Sequence, residues 1–274
     1  MVVSNLATRT LTGVVLVVLV IGATITDQHL FALLFMVFTI VGLWELYTLV
    51  EKAGINPNKP AGLLAGIVLF ITNALVAMNM MNIEWLLINF VCVFLIFLFE
   101  LYRNDPNPFT NIAFTFFGLL YVAVPFSILN YFPNPAFIPG VYHSSLLLGF
   151  FFLVWINDTG AFLIGSAIGK HRLFERVSPK KTWEGAIGGA VFALISAFII
   201  SHYYVHLSTK DWFIIALIVI VFGTYGDLFE SMFKRSIDAK DSGTILPGHG
   251  GVLDRFDGVL MAAPFVFVYL LMSY

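Results

Sequence analysis

The sequence predicts an all-α, polytopic integral membrane protein with nine transmembrane helices. Three observations carry that expectation. Of its 274 residues, 59% are hydrophobic and only 11% are charged, whereas soluble domains carry about 25% charged residues. Nine apolar runs approach the ~20 residues needed to cross a bilayer. The Lys and Arg residues also sort to one side of a nine-span path, as the positive-inside rule requires.

The runs lie at 10–26, 30–50, 61–79, 83–102, 109–131, 145–169, 184–205, 211–233 and 251–273. The first follows Arg9 and is short enough for a signal peptide. No small-x-small cleavage site follows it, so it reads as a retained helix. With Arg9 cytoplasmic, 13 of the 14 Lys and Arg residues fall on the cytoplasmic side and only Lys210 falls outside. The net charge of -2 says less than this segregation. The single cysteine, Cys92, excludes an intrachain disulfide and sits in an apolar run, where it reads as a small packing residue.

The two halves differ. Residues 1–140 hold the first five spans and read as a membrane scaffold. Their acids Glu45, Glu84 and Glu100 lie near helix ends, and Glu45 and Glu100 are weak functional candidates. The loop 132–144 holds three prolines and reads as a rigid outer connector. Residues 141–274 hold spans six to nine and the chemistry, with no separable soluble domain. Asp158 stands inside the sixth span in Asn157-Asp158-Thr159-Gly160. An ionisable side chain at that depth points to function, with a buried partner nearby as the expected arrangement.

The loop before span seven runs Ser178-Pro179-Lys180-Lys181-Thr182-Trp183-Glu184. Ser178 suits an N-cap and Pro179 a first helical position, which places Lys180 and Lys181 in the first turn. Cations there oppose the helix dipole and are better used on an external anion such as phosphate. Gly185, Gly188 and Gly189 suit close helix packing.

The densest charge lies between Asp227 and Asp257. Asp227, Glu230, Ser231 and Lys234 share a helix face by i, i+3, i+4, i+7 spacing, and Asp254 and Asp257 share another. Between them, Pro247-Gly248-His249-Gly250-Gly251 precedes a helix N-terminus and suits a backbone anion nest. Carboxylates joined to substrate phosphates suit a hard cation such as Mg2+, and Lys234, Arg235 and Arg255 suit phosphate charge. Asp238 and Lys240 read as solvated. His202 and His206 have no carboxylate pattern beside them and read as non-metal residues. No Walker A, CxxC or HExxH pattern is present.

Ser231-Met-Phe-Lys234-Arg235, Lys240-Asp241, Leu246-Pro247-Gly248-His249-Gly250-Gly251 and Asp254-Arg255-Phe256-Asp257 fill one ungapped stretch of 27 residues. That stretch resembles the signature of the phosphatidate cytidylyltransferases, or CDP-diacylglycerol synthases. Asn-Asp-Thr-Gly-Ala and Ser-Pro-Lys-Lys-Thr-Trp-Glu-Gly are similar to further segments of that family. The close resemblance covers about residues 150–260. It implies an integral membrane homodimer that uses magnesium to join CTP and phosphatidate into CDP-diacylglycerol and pyrophosphate. On that reading Asp227 and Asp254 ligate the metal, with Asp257 a third ligand or a neighbour of one. Lys180, Lys181, Lys234 and Arg235 handle substrate phosphates, and Gly248–Gly251 cradle the triphosphate. Arg255, Ser231, His249 and Asp158 complete the expected site. The expected setting is a bacterial-type inner membrane with the site facing the cytoplasm, and no nucleic-acid partner. A CTP-dependent kinase of polyprenol- or phytol-type alcohols is the alternative enzyme. A transporter using Asp158 and Asp227 as ion sites is the alternative from another class, but it predicts interrupted helices in both halves.

Overall fold

The computed structural model describes every residue except 1, 134–141, 238, 240, 241 and 244–249, with backbone only for 2–10. The described chain is almost wholly helical. We number its helices α1 (Val2–Thr26), α2 (Gln28–Lys52), α3 (Lys59–Ala77), α4 (Ile83–Leu101), α5 (Pro108–Tyr131), α6 (Ser145–Ile168), α7 (Trp183–Tyr203), α8 (Thr209–Ser236) and α9 (Leu253–Ser273). Among the described residues, α2 to α9 are eight helices long and apolar enough to cross a membrane. The ninth expected span lies in α1, whose described apolar stretch, Leu11–Thr26, is shorter.

Besides 3-10 turns at Ile83–Leu87 and Leu129–Tyr131, two departures from regular α-helix lie inside spans. Leu119–Ala123 in α5 and Val219–Gly223 in α8 are π-helical turns. Both occur in apolar runs without polar punctuation, and hydropathy alone does not mark them.

The chain forms two compact units. One comprises 1–131 with 236–256, and the other 132–235 with 257–274. The sequence places a boundary at 140 and assigns the whole glycine-rich signature to the second half. In the structure, 236–256 belongs with the first.

In the first unit, Phe31, Phe35, Phe126 and Leu43 are fully buried. The Phe256 ring joins this core, with centroids 5.0 Å from Phe38, 5.4 Å from Phe126 and 5.8 Å from Phe35. Such aromatic pairs add about 0.5–1.5 kcal/mol each beyond the area they bury, so they fasten the start of α9.

Glu100 is buried beside this core, and its role is structural. Its carboxylate accepts from Asn111 Nδ2 at 2.9 Å, Asn58 Nδ2 at 3.3 Å and Arg103 at 2.9 Å. These bonds tie α4, α5 and the segment before α3 together. Glu100→Ala would strand those donors, so we expect it to lower stability by about 3 kcal/mol. A thermal-unfolding series in detergent, with turnover per folded molecule unchanged, checks this assignment.

In the second unit, α6 and α7 pack through small residues. A Cβ on Gly188 would stand 2.5 Å from Ile164 Cβ, and one on Gly189 would stand 2.6 Å from the Asn157 carbonyl oxygen. The close approach expected of these glycines is therefore present.

The connection between α6 and α7 corrects the sequence reading. Ser178–Thr182 is a strand, β2, paired antiparallel with β1 (Arg172–Phe174). Helix α7 starts at Trp183, and its N-cap is Thr182, whose hydroxyl accepts the Gly185 N–H at 3.2 Å. Ser178 is not the cap, because its backbone is already engaged in the hairpin. Pro179 sits at the sheet's free edge, where a missing N–H is tolerated. Lys180 and Lys181 thus precede the helix instead of filling its first turn. Glu184 locks the hairpin base, accepting the Lys170 N–H at 3.1 Å and contacting His171 Nδ1 at 2.6 Å.

Candidate active site

In the second unit the site is built on α8. Asp227 Oδ2 meets Lys181 Nζ at 2.6 Å, and its other oxygen accepts the Ser231 hydroxyl at 3.2 Å. The i, i+4 spacing that puts Asp227 and Ser231 on one face thus yields a direct bond. One turn further, Lys234 pairs with buried Glu230 at 3.3 Å. Lys181 arrives from β2, so the hairpin, and not a helix dipole, aims this cation.

Asp257 reaches the same neighbourhood from α9. Gly226 is what permits it: a Cβ there would collide with the Asp257 carbonyl oxygen. Gly258 repeats the device, with its added Cβ 3.5 Å from Gly223 Cα. Close passage of α8 and α9 brings Asp227, Glu230 and Asp257 within electrostatic reach of one another, and Asp158 of α6 joins them. Asp257 Oδ1 accepts the Gly258 N–H at 2.7 Å.

Asp158 lies within electrostatic reach of Lys181 and Asp227. It is exposed, as is Thr159, while Asn157 and Gly160 on either side are buried. A charge at the centre of a spanning helix costs about 2.5–3.5 kcal/mol on insertion scales. Here Lys181 nearby lessens the cost.

The first unit holds the other part of the signature. Asp254 Oδ2 accepts three hydrogen bonds, from Gly251 N–H at 2.7 Å, Ser242 N–H at 3.0 Å and the Ser242 hydroxyl at 2.8 Å. Gly250 has φ +82°, and any Cβ there would also collide with Asp254. Glycine is required at that position on both counts. The Gly251 amide, expected to face a ligand phosphate, is instead held by Asp254. The Leu253 amide is held by Glu45 Oε2 at 3.2 Å.

Lys180, Arg235 and Arg255 are exposed. Gly248 and His249 lie outside the described residues. Sequence reasoning overlooked Ser242 and gave Glu45 little weight. Serine among charged loop residues gives no signal, and the Glu45–Leu253 contact spans 208 positions.

Among the described residues, no group of three or more His, Cys, Asp or Glu side chains is gathered as a ready metal site. That does not conflict with the donor chemistry. Mg2+ typically takes one or two carboxylates and completes its shell with substrate phosphates and water. Asp227 and Asp257, hard oxygen donors held by the α8–α9 crossing, fit that need.

The comparisons with known proteins agree with this architecture. The model of the cytidylyltransferase family matches residues 7–273. A phosphatidate cytidylyltransferase of Staphylococcus aureus strain COL is 37% identical over 182 residues, covering 66% of this chain and 67% of its own. One from Haemophilus influenzae is 41% identical over 170 residues, covering 59% and 57%. Another from Staphylococcus haemolyticus is 36% identical over 180 residues, covering 65% and 66%. A family match running almost end to end, over a chain whose acids, lysines and glycines meet on membrane-spanning helices, places this protein in the cytidylyltransferase family.

Proposed function

We propose that this protein transfers CMP from CTP to phosphatidate, giving CDP-diacylglycerol and pyrophosphate. The observation that carries the reading is the Lys181–Asp227 pair, with Ser231, Asp257 and Asp158 around it, on membrane-spanning helices of a cytidylyltransferase-family chain. The names of the relatives point to phosphatidate as the acceptor.

The chemistry suits these groups. A phosphatidate oxygen attacks the α-phosphorus of CTP, the bond from that phosphorus to the bridging oxygen breaks, and pyrophosphate leaves with the electron pair. A phosphate monoester with a second pKa near ~6 is already largely ionised at neutral pH, so no strong general base is needed. The work left to the protein is alignment and charge neutralisation. Lys181, aimed by Asp227, is the cation placed to meet phosphate, with Lys234 one helical turn beyond Glu230. Lys180, Arg235 and Arg255, on exposed positions, supply further positive charge to an arriving triphosphate. Gly248–Gly251 are proposed to contact that triphosphate, displacing Asp254 from the Gly251 amide.

Asp227 and Asp257 would hold Mg2+, and Asp254 is kept with them on its i, i+3 spacing from Asp257 along α9. When bound, the ion supplies neutralisation of triphosphate charge. The proposed setting is a bacterial inner membrane with the site at the cytoplasmic face, on the strength of the Lys and Arg segregation. A homodimer is proposed from the resemblance, and cross-linking in native membranes tests it.

The purified protein should release pyrophosphate from CTP and leave labelled CMP on phosphatidate. Release of CDP with phosphorylation of an added polyprenol would instead establish the lipid kinase.

A further inference from the structure

Glu45 stands apart from the other acids. It belongs to α2, in the half of the sequence that reads as scaffold, yet it lies against the signature segment. It is only 3% exposed. Its Oε2 accepts the Leu253 N–H at 3.2 Å, and the Val252 backbone is a second hydrogen-bond partner. Gly243 and Gly251 pack directly on the carboxylate. A Cβ on Gly243 would stand 2.6 Å from Oε1, and a Cβ on Gly251 would collide with both Oε2 and the Ser242 hydroxyl. Two glycines that bracket the undescribed part of the signature are thus seated on one side chain.

That seat is shared with a second carboxylate. Asp254 binds Gly251, which packs on Glu45, and Ser242, whose hydroxyl lies against the same glycine. Asp254 itself is an electrostatic neighbour of Glu45. Moreover, Glu45 Oε1 is buried with no hydrogen-bond partner among the described residues. A buried acceptor left in that condition costs about 1–3 kcal/mol, more when charged. Glu100 shows how this fold treats a carboxylate with a purely structural task, because both its oxygens are bonded. Glu45 does not follow that pattern, although its packing is equally tight.

We propose that Glu45 is a positioning residue for the transfer reaction, clamping the backbone at Gly243 and at Gly251–Leu253 so that the Asp254 carboxylate is presented in one place. It acts through the backbone of the segment and touches no substrate. The role for Asp254 in turnover rests on the proposed function, whereas the clamp does not.

Glu45→Ala and Glu45→Gln separate the possibilities, with Glu100→Ala as the purely structural comparison. Glutamine keeps an acceptor for the Leu253 amide, and alanine removes it. We expect Glu45→Ala to lower kcat about 100-fold, the size of loss that a misplacement near 1 Å brings. Glu45→Gln should recover to within about fivefold of the wild type. KM for phosphatidate should change little in either. Hydrogen exchange by mass spectrometry gives a readout that needs no turnover. Glu45→Ala should speed exchange of the Gly251–Leu253 amides at least tenfold, as expected for loss of a buried acceptor, with the α5 amides unchanged.

Glu45→Ala with wild-type kcat overturns the proposal. So does a variant that, like Glu100→Ala, loses thermal stability alone, and so does unaltered exchange at Gly251–Leu253. A wild-type protein that makes no CDP-diacylglycerol would count against the proposed function instead, and the exchange measurement would still decide whether Glu45 is the clamp.

Discussion

Asp227→Asn is expected to lower kcat about 10²–10³-fold, the usual consequence of removing one preorganised charge from a transfer site. The side chain has two partners. Losing its charge frees Lys181, now held at 2.6 Å, and weakens the Ser231 bond at 3.2 Å. Fold stability should change little, because an ion pair this accessible contributes about 0–1 kcal/mol. Lys181→Met should reduce turnover as well. The double variant should be no worse than the poorer single, since residues that act as a unit are not additive. Steady-state rates in mixed micelles check this, and an Asp227→Asn rate within about fivefold of the wild type would remove the residue from the site.

Asp254 should give two different losses depending on what replaces it. Asp254→Asn keeps one oxygen able to accept from Ser242 and Gly251 and removes only the charge. Asp254→Ala also releases all three hydrogen bonds. Both are expected to fall below about 1% of wild-type turnover. Only the alanine variant should also unfold more readily, by about 2–4 kcal/mol for loss of charge-assisted bonds. Thermal unfolding beside the activity assay separates charge from clamp. An asparagine variant that remains active would leave Asp254 as a loop-holding residue alone.

What the sequence reveals here depends on the range of the interaction concerned. The spans are legible because hydropathy over ~20 residues is a local property. The Asp227–Ser231 bond is legible because helical spacing fixes it. The hairpin at 172–182 is not, because Ser178-Pro179 carries a helix-start pattern that strand pairing overrides. Thr182, four residues later, is an equally good cap. The π turn at Val219–Gly223 leaves no trace in a run of apolar residues. Membership of 236–256 in the first unit is hidden because its charges resemble those of the second half. What fastens it, Phe256 among Phe35, Phe38 and Phe126 with Glu45 beneath Leu253, is entirely long-range.

The length of α8 has a consequence for how substrate arrives. Its 28 residues extend about 42 Å at 1.5 Å each, and still cover about 39 Å at a tilt of ~20°. A hydrocarbon core is about 30 Å thick. The helix opens on Thr209, Lys210 and Asp211 and closes on Lys234, Arg235 and Ser236, so the surplus is shared between two polar ends. Counted from Trp212, about 21 residues cross ~30 Å at that tilt, so Asp227 would lie below, and Lys234 and Arg235 at, the depth of the lipid phosphates. An acceptor lipid would reach Lys234 and Arg235 by lateral diffusion within its own leaflet, without its phosphate leaving that plane or its chains leaving the oil. Encounter with the lipid becomes a two-dimensional search set by surface density, and only the nucleotide is gathered from bulk solution.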